Sequence, residues 1–363
     1  MKIDHRIPVL FLCEKRHTIQ RIASAWRKLH PDTPCFAIAL CSGSPGGFSM
    51  RLPRSLPISA VPAIYEPLWA VSALQVYDQD VAWQDVDGVD LITGWKGQIV
   101  CACDPDPAGS YVFRNLLRLA RPDLADDHFP DLWLKDLSEK TIISAMSDPG
   151  STAYGRRVCL LAMAEAKRFF DANWAVNALP TFRQVLCDVA VPPEHRFLSK
   201  YALQLLYELR NRVPLTESDI LKLMCGRVGT GKYGQLEHEV AMGSAASRST
   251  ILDTLKAMGL ISVSETRDIP ISAESFAWRV ARGYSRQEDP HVVTRDYIAI
   301  SDRGRALLDR IHPKTRDPDL PFRLLEWGRT WPESRPQIER YIRTVFGRQK
   351  RFAPGRSANA MPA

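Results

Sequence analysis

The sequence predicts an α/β protein: a parallel sheet covered on both faces, followed by a mostly helical second half. Three observations carry this expectation. Continuous apolar runs, "IPVLFLCEK", "PCFAIALC" and "GQIVCACDPD", stop abruptly at charged or turn residues. Such runs lack the alternation of a half-exposed strand and read as strands buried on both faces. Segments of helical period stand between and after them, and strand–helix alternation indicates parallel pairing.

Taken in order, "IPVLFLCEK" is the first strand and "HTIQRIASAWRKLH" the helix that follows it. "PCFAIALC" is the second strand. Proline and glycine are dense between Ser42 and Pro67, which predicts a long irregular loop. "GQIVCACDPD" is a further strand and "AGSYVFRNLLRLA" an amphipathic helix. From Leu134 to about Cys187 the pattern is helical, and Ser138 is placed to cap "SEKTIISAM" with Thr141 three residues on. "DVAVPPEHR" reads as a linker. Then "LSKYALQLLYELR", "TESDILKLM" and "SRSTILDTLKAMGLI" give three amphipathic helices, and "LISVSETRD" and "DYIAISDRGRALL" give two strands and a closing helix. Three helices before a β-hairpin is the order of a winged-helix domain, whose third helix, Ser247 to Met258, is the candidate for a nucleic-acid groove. A helical bundle that binds nothing would show the same order. The expected boundaries are a sheet domain at 1–130, a helical region at 131–192, a winged-helix-like domain at 193–313, a helical extension at 314–346 and a disordered tail at 347–363.

Composition narrows the function. With 363 residues, 45% hydrophobic and 25% charged, the chain has room for two or three globular domains. A formal charge of +7 favours a polyanionic partner. No apolar run approaches the ~20 residues of a membrane span, so no membrane association is expected. The opening "MKIDHRIPVLFLCEKR" lacks a small-residue cleavage site and does not read as a signal peptide. Eight scattered cysteines form no paired CxxC or CxxH modules, which argues against zinc and for reduced thiols in a cytoplasm.

The chemistry concentrates where strands end. Asp104 and Asp106 leave the third apolar run one residue apart, and Glu14 leaves the first. Ligands of open parallel sheets bind outside the carboxyl ends of the strands. Like carboxylates there repel one another, and Mg²⁺, which takes hard oxygen ligands, would relieve the conflict. "DPDP" is also good turn chemistry on its own.

These residues resemble a known family. "LFLCEKRHTIQRIA" is similar to the opening strand and helix of type IA DNA topoisomerases, and "CACDPDPAG" to their Asp-x-Asp-x-x-Gly segment. Together these mark a Toprim domain, shared with primases and some nucleases. "FPDLWLKDLSEKTIISAM", "AEAKRFFDANWAVNAL" with Asp171 and Asn177, "MGSAASRSTILDTLKAMGLI" and "AISDRGRALLDRI" resemble later segments of that family in the same order. The resemblance implies Glu14 as general acid or metal ligand, Lys15 as stabiliser of phosphate charge, Asp104 and Asp106 as holders of Mg²⁺, and single-stranded or locally melted DNA as partner. Arg248 and Ser249, early in the third helix of the winged-helix segment, are the candidate DNA contacts.

Two departures bear on activity. Where the family carries Arg-Glu before the glycine and an acid after it, this chain has Pro107, Ala108 and Ser110. In the run "LRNRVPLTESD", Pro214, Thr216, Glu217 and Ser218 fall into the family's register, which puts Val213 at the nucleophilic tyrosine. Valine cannot attack a phosphodiester. Tyr233, in "VGTGKYGQL", is the candidate displaced nucleophile. Three functions therefore stay open: a topoisomerase-like enzyme without full relaxation activity, a Toprim nuclease using water, and a non-catalytic winged-helix DNA-binding factor. The missing tyrosine leaves room for a protein partner in DNA processing.

Overall fold

A computed structural model describes residues 2–39, 48–51, 56–71, 74–78, 84–86, 88–124, 127–152, 155–226, 229, 231–234, 240–270 and 292–352. The three apolar runs are strands β1 (Val9–Cys13), β2 (Cys35–Ala39) and, later, β7 (Gln98–Cys101). Between β2 and β7 come β3 (Phe48–Arg51), β4 (Leu68–Val71), β5 (Leu74–Asp78) and β6 (Gln84–Val86). Two-residue strands β8 (Pro130–Asp131) and β9 (Gly150–Ser151) complete a seven-stranded sheet of order β6-β5-β2-β1-β7-β8-β9. Its centre, β2-β1-β7-β8, is parallel, while β5, β6 and β9 add antiparallel edges.

Both faces of the sheet are covered, as the unbroken apolar strands require. On β1, Val9, Phe11 and Cys13 point into one core with Ile19, Ile22 and Trp26 of helix α1 (Arg16–Leu29) and Ile142 and Met146 of helix α4 (Glu139–Ser147). Leu10 and Leu12 point into the other, with Ile92 of α2 (Gly88–Gly94) and Phe113, Leu116 and Leu117 of α3 (Pro107–Ala120). Ser138 caps α4 by accepting from the Thr141 N–H, as the sequence predicts.

The chain forms two compact units. The first comprises Met1–Pro53, Tyr65–Ala172 and Leu324–Ile338; the second comprises Arg54–Ile64, Asn173–Arg323 and Glu339–Ala363. The 33-residue helix α5 (Arg156–Asp188) starts in the first and ends in the second. The second unit contains α6 (Lys200–Leu209), α7 (Glu217–Cys225) and α8 (Ala245–Ala257), followed by β11 (Ile261–Pro270) and β12 (Val292–Ile300). The short β10 (Leu215–Thr216) joins them in a sheet of order β10-β12-β11. Helix α9 (Asp302–Asp309) follows β12, and α6 packs on α8, α9 and β12. Helices α10 (Leu320–Arg329) and α11 (Arg335–Arg351) close the described chain. Asn177 is fully buried and binds both backbone groups of Ala63, accepting from its N–H (2.7 Å) and donating to its carbonyl (2.8 Å).

Two expectations are corrected. The proline- and glycine-rich stretch from Ser42 to Pro67 is not all irregular: β3 lies within it, ordered by antiparallel pairing with β4 beyond its far end. The expected disordered tail at 347–363 is helical through Arg351. Gln349 is buried there, accepting from the His312 N–H (2.7 Å) and donating to the Arg310 carbonyl (3.2 Å). The rest of that tail, 353–363, lies outside the described residues.

Candidate acidic crevice

Strand order decides where a site can form. From β1 the chain passes through α1 to β2 on one side, whereas from β7 it passes through α3 to β8 on the other. Helices α1 and α3 lie on opposite faces. The loops leaving β1 and β7 therefore diverge, and a crevice opens at their carboxyl ends, the usual ligand site of such sheets. Glu14 follows β1 directly. Asp104 and Asp106 lie between β7 and α3. The crevice has a volume of about 340 Å³, and its walls include Lys15, His17, Asp104, Asp106 and Lys135.

Each acid is accommodated differently. Glu14 is 8% exposed, and its Oε1 has no hydrogen-bond partner. Burial, reinforced by the negative charges of Asp104 and Asp106, pushes its carboxyl up to about 7. Asp104 pairs with Lys15, Nζ to Oδ2 at 2.5 Å, and this bond raises the lysine's affinity for its proton. Asp106 caps α3: its Oδ1 accepts from the Gly109 N–H (2.8 Å), with Pro107 in the first turn. Gly109 is required by close approach rather than by backbone angle. A Cβ there would stand 2.2 Å from Glu14 Oε1 and 2.3 Å from the Asp104 carbonyl oxygen.

Beneath this turn lies a residue the sequence reading missed. Arg157, on the first turn of α5, is 4% exposed and grips Asp131, itself 3% exposed, through Nε (3.0 Å) and Nη2 (2.7 Å). The same guanidinium donates to the carbonyls of Asp104 (2.8 Å) and Cys103 (3.3 Å) and to Ser110 Oγ (3.2 Å). Ser110 Oγ in turn donates to the Asp106 carbonyl (2.9 Å). In the sequence, Arg157 is one of two arginines opening a helix, and nothing local marks it as buried.

Glu14, Lys15, Asp104 and Asp106 are thus brought together in the first unit. Among the described residues, no group of three or more His, Cys, Asp or Glu side chains is arranged to hold a metal ion. The nearby thiols of Cys13 and Cys103 are buried, which pushes them up and keeps them protonated. The other candidates lie in the second unit. Val213 is 76% exposed in the loop before β10. Tyr233 is 4% exposed, its ring stacked on Phe322 at 5.7 Å with the Lys232 ammonium 4.7 Å from its centre. On α8, Ser249 is exposed, while Arg248 is half-buried and donates to Cys225 Sγ (2.9 Å).

No family model and no curated protein matches the chain. Among solved structures it is similar to full-length topoisomerase I from Thermotoga maritima. The identity is 13% and the TM-score 0.35, over 76% of this chain and 43% of that one. The chain therefore spans less than half the length of that protein.

Two outcomes are expected from this geometry. Breaking a buried ion pair strands the other charge, so Arg157→Met should cost about 3–5 kcal/mol in urea unfolding. The double variant Arg157→Met with Asp131→Leu should recover much of that loss. A cost under about 1 kcal/mol for the single variant contradicts the anchoring role. The second outcome concerns pH. Folded Glu14 keeps its proton to about pH 7, against an ordinary value of 4.5. Between those values the folded chain binds more protons than the unfolded one, so stability falls as pH rises, by up to about 3 kcal/mol. Glu14→Gln should flatten that stretch of the stability curve, and an unchanged slope contradicts the assignment.

Proposed function

We propose that this chain binds single-stranded or locally melted DNA and acts on its phosphodiester backbone at the acidic crevice. In this reading it is built like a reduced type IA topoisomerase, with a Toprim-like first unit and a winged-helix-like segment in the second. The observation that carries the proposal is the buried Glu14 carboxyl, one oxygen of which has no hydrogen-bond partner, beside Asp104, Asp106 and Lys15, at the point where the loops of two adjacent parallel strands part.

Breaking a phosphodiester places negative charge on the phosphoryl oxygens and on the departing oxygen. A carboxylic acid that titrates near neutrality is suited to deliver its proton to that oxygen. Lys15 can carry the phosphoryl charge. Three carboxylates, one with a buried unpartnered oxygen, suit a hard divalent cation in kind. Asp104 and Asp106 would hold Mg²⁺, which supplies neutralisation of phosphate charge, with Glu14 either the proton donor or, once ionised, a third ligand. Asp104 is engaged by Lys15, so cation and lysine compete for it.

The nucleophile distinguishes the two enzymatic readings. Val213 offers no attacking atom, and Tyr233 is packed against Phe322 with the cationic groups of Lys232 and Arg323 close to its ring. That burial favours water as the attacking group, hence hydrolysis, as a second reading. In the winged-helix-like segment, α6, α7 and α8 precede the β11–β12 hairpin, and Arg248 and Ser249 on α8 are the proposed DNA contacts. Among the described residues no helix is long and apolar enough to cross a membrane. A cytoplasmic protein with a further partner in DNA processing fits the reading.

End-labelled single-stranded DNA incubated with the protein and Mg²⁺, then run on a denaturing gel, tests this. Strand breakage should need the metal and fall roughly 10²-fold or more in Asp104→Asn with Asp106→Asn. A labelled band retarded until protease treatment indicates a covalent adduct; its loss in Tyr233→Phe names the nucleophile. Free cleaved product unaffected by Tyr233→Phe indicates hydrolysis. DNA that is bound but never broken contradicts an enzymatic role and leaves the binding factor.

A further inference from the structure

A second cavity adjoins the acidic crevice within the first unit, and nothing in the chemistry above uses it. It has a volume of about 360 Å³, and its walls include Trp133, Lys135, Ser151 and Arg156, with the Arg157–Asp131 pair also lining it. Lys135 lines both this cavity and the crevice, so the two share a wall.

The side chains here form an aromatic and cationic surface. Leu132 and Leu134 are buried in the sheet core, while the intervening Trp133 stays half-exposed and Lys135 is exposed. The indole is braced by Arg157, whose guanidinium carbon lies 5.2 Å from the ring centre. The Asp131 carboxylate beside it is neutralised, since both of its oxygens accept from Arg157. Lys135 and Arg156 make no ion pair among the described residues, and Arg156 opens α5, whose first turn carries no acidic side chain. A braced indole and two cations without an ion pair among the described residues, lining one cavity, match a nucleotide: a flat apolar base with its phosphates.

We propose that this cavity holds one nucleotide of single-stranded DNA, its base stacked on Trp133 and its phosphates against Lys135 and Arg156. Lys135 leads the strand from the cavity to the crevice, so the nucleotide sets which phosphodiester reaches Glu14 and Lys15. The inference rests on the reading that the chain acts on single-stranded DNA.

Fluorescence anisotropy of a labelled single-stranded oligonucleotide, and of the same oligomer made of abasic sites, tests the site. Wild-type protein should bind the base-bearing strand more tightly. Trp133→Ala should weaken that binding about fivefold to a hundredfold, while leaving abasic binding unchanged. Trp133→Phe should recover most of the loss and, by keeping a ring over Arg157, controls for folding. Lys135→Ala with Arg156→Ala should shallow the log–log salt slope by about 0.7 for each cation. Equal binding of the two strands, or of wild type and Trp133→Ala, overturns the nucleotide site while leaving DNA binding intact. Absence of any binding by wild type at low salt overturns the DNA reading and this site with it.

Discussion

One guanidinium holds together the segments from which the candidate site is made. Arg157 reaches from the start of α5 to Asp131 on β8, to the carbonyls of Cys103 and Asp104 after β7, and to Ser110 in the first turn of α3. Five donors in a rigid planar fork allow this, and lysine could not substitute. The turn carrying Asp104 and Asp106 is thereby fixed from beneath, and Gly109 is free to approach Glu14. Trp133 rests over the same cation. At the edge of the sheet, where strands are only two residues long, this charge pair adds a side-chain anchor to the ladder.

Three acids crowded at two strand ends would repel one another, and the structure resolves the conflict three ways. Glu14 retains its proton toward neutrality, Asp104 takes an ion pair with Lys15, and Asp106 turns to the N-terminus of α3. The Lys15–Asp104 pair is well exposed, worth about 1 kcal/mol or less, and so easily exchanged for another partner. Breaking that pair would cost the fold little stability.

Much of this was legible in the sequence, for a physical reason. β1 and β7 are buried on both faces, so their apolar runs are unbroken, and the acids that follow them stand out. Ser138 announced the start of α4 because capping is local. The features that escaped notice depend on partners far along the chain. β3 exists by pairing with β4 across a proline-rich stretch, and β8 and β9 are too short to carry a pattern. Arg157 looks like any surface arginine until Asp131, 26 residues earlier, is placed beside it. Gln349 likewise orders the end of α11 through backbone groups 37 and 39 residues away.

The central proposal is that Asp104 and Asp106, beside Glu14, form one site for a cation that faces DNA phosphate. Electron paramagnetic resonance of Mn²⁺ titrated into the protein measures this directly, since only free Mn²⁺ gives the sharp aqueous signal. The account predicts one bound ion per chain, lost in Asp104→Asn with Asp106→Asn and bound more tightly in Lys15→Ala, where the competing ammonium is gone. Undiminished Mn²⁺ binding in the double asparagine variant would contradict it.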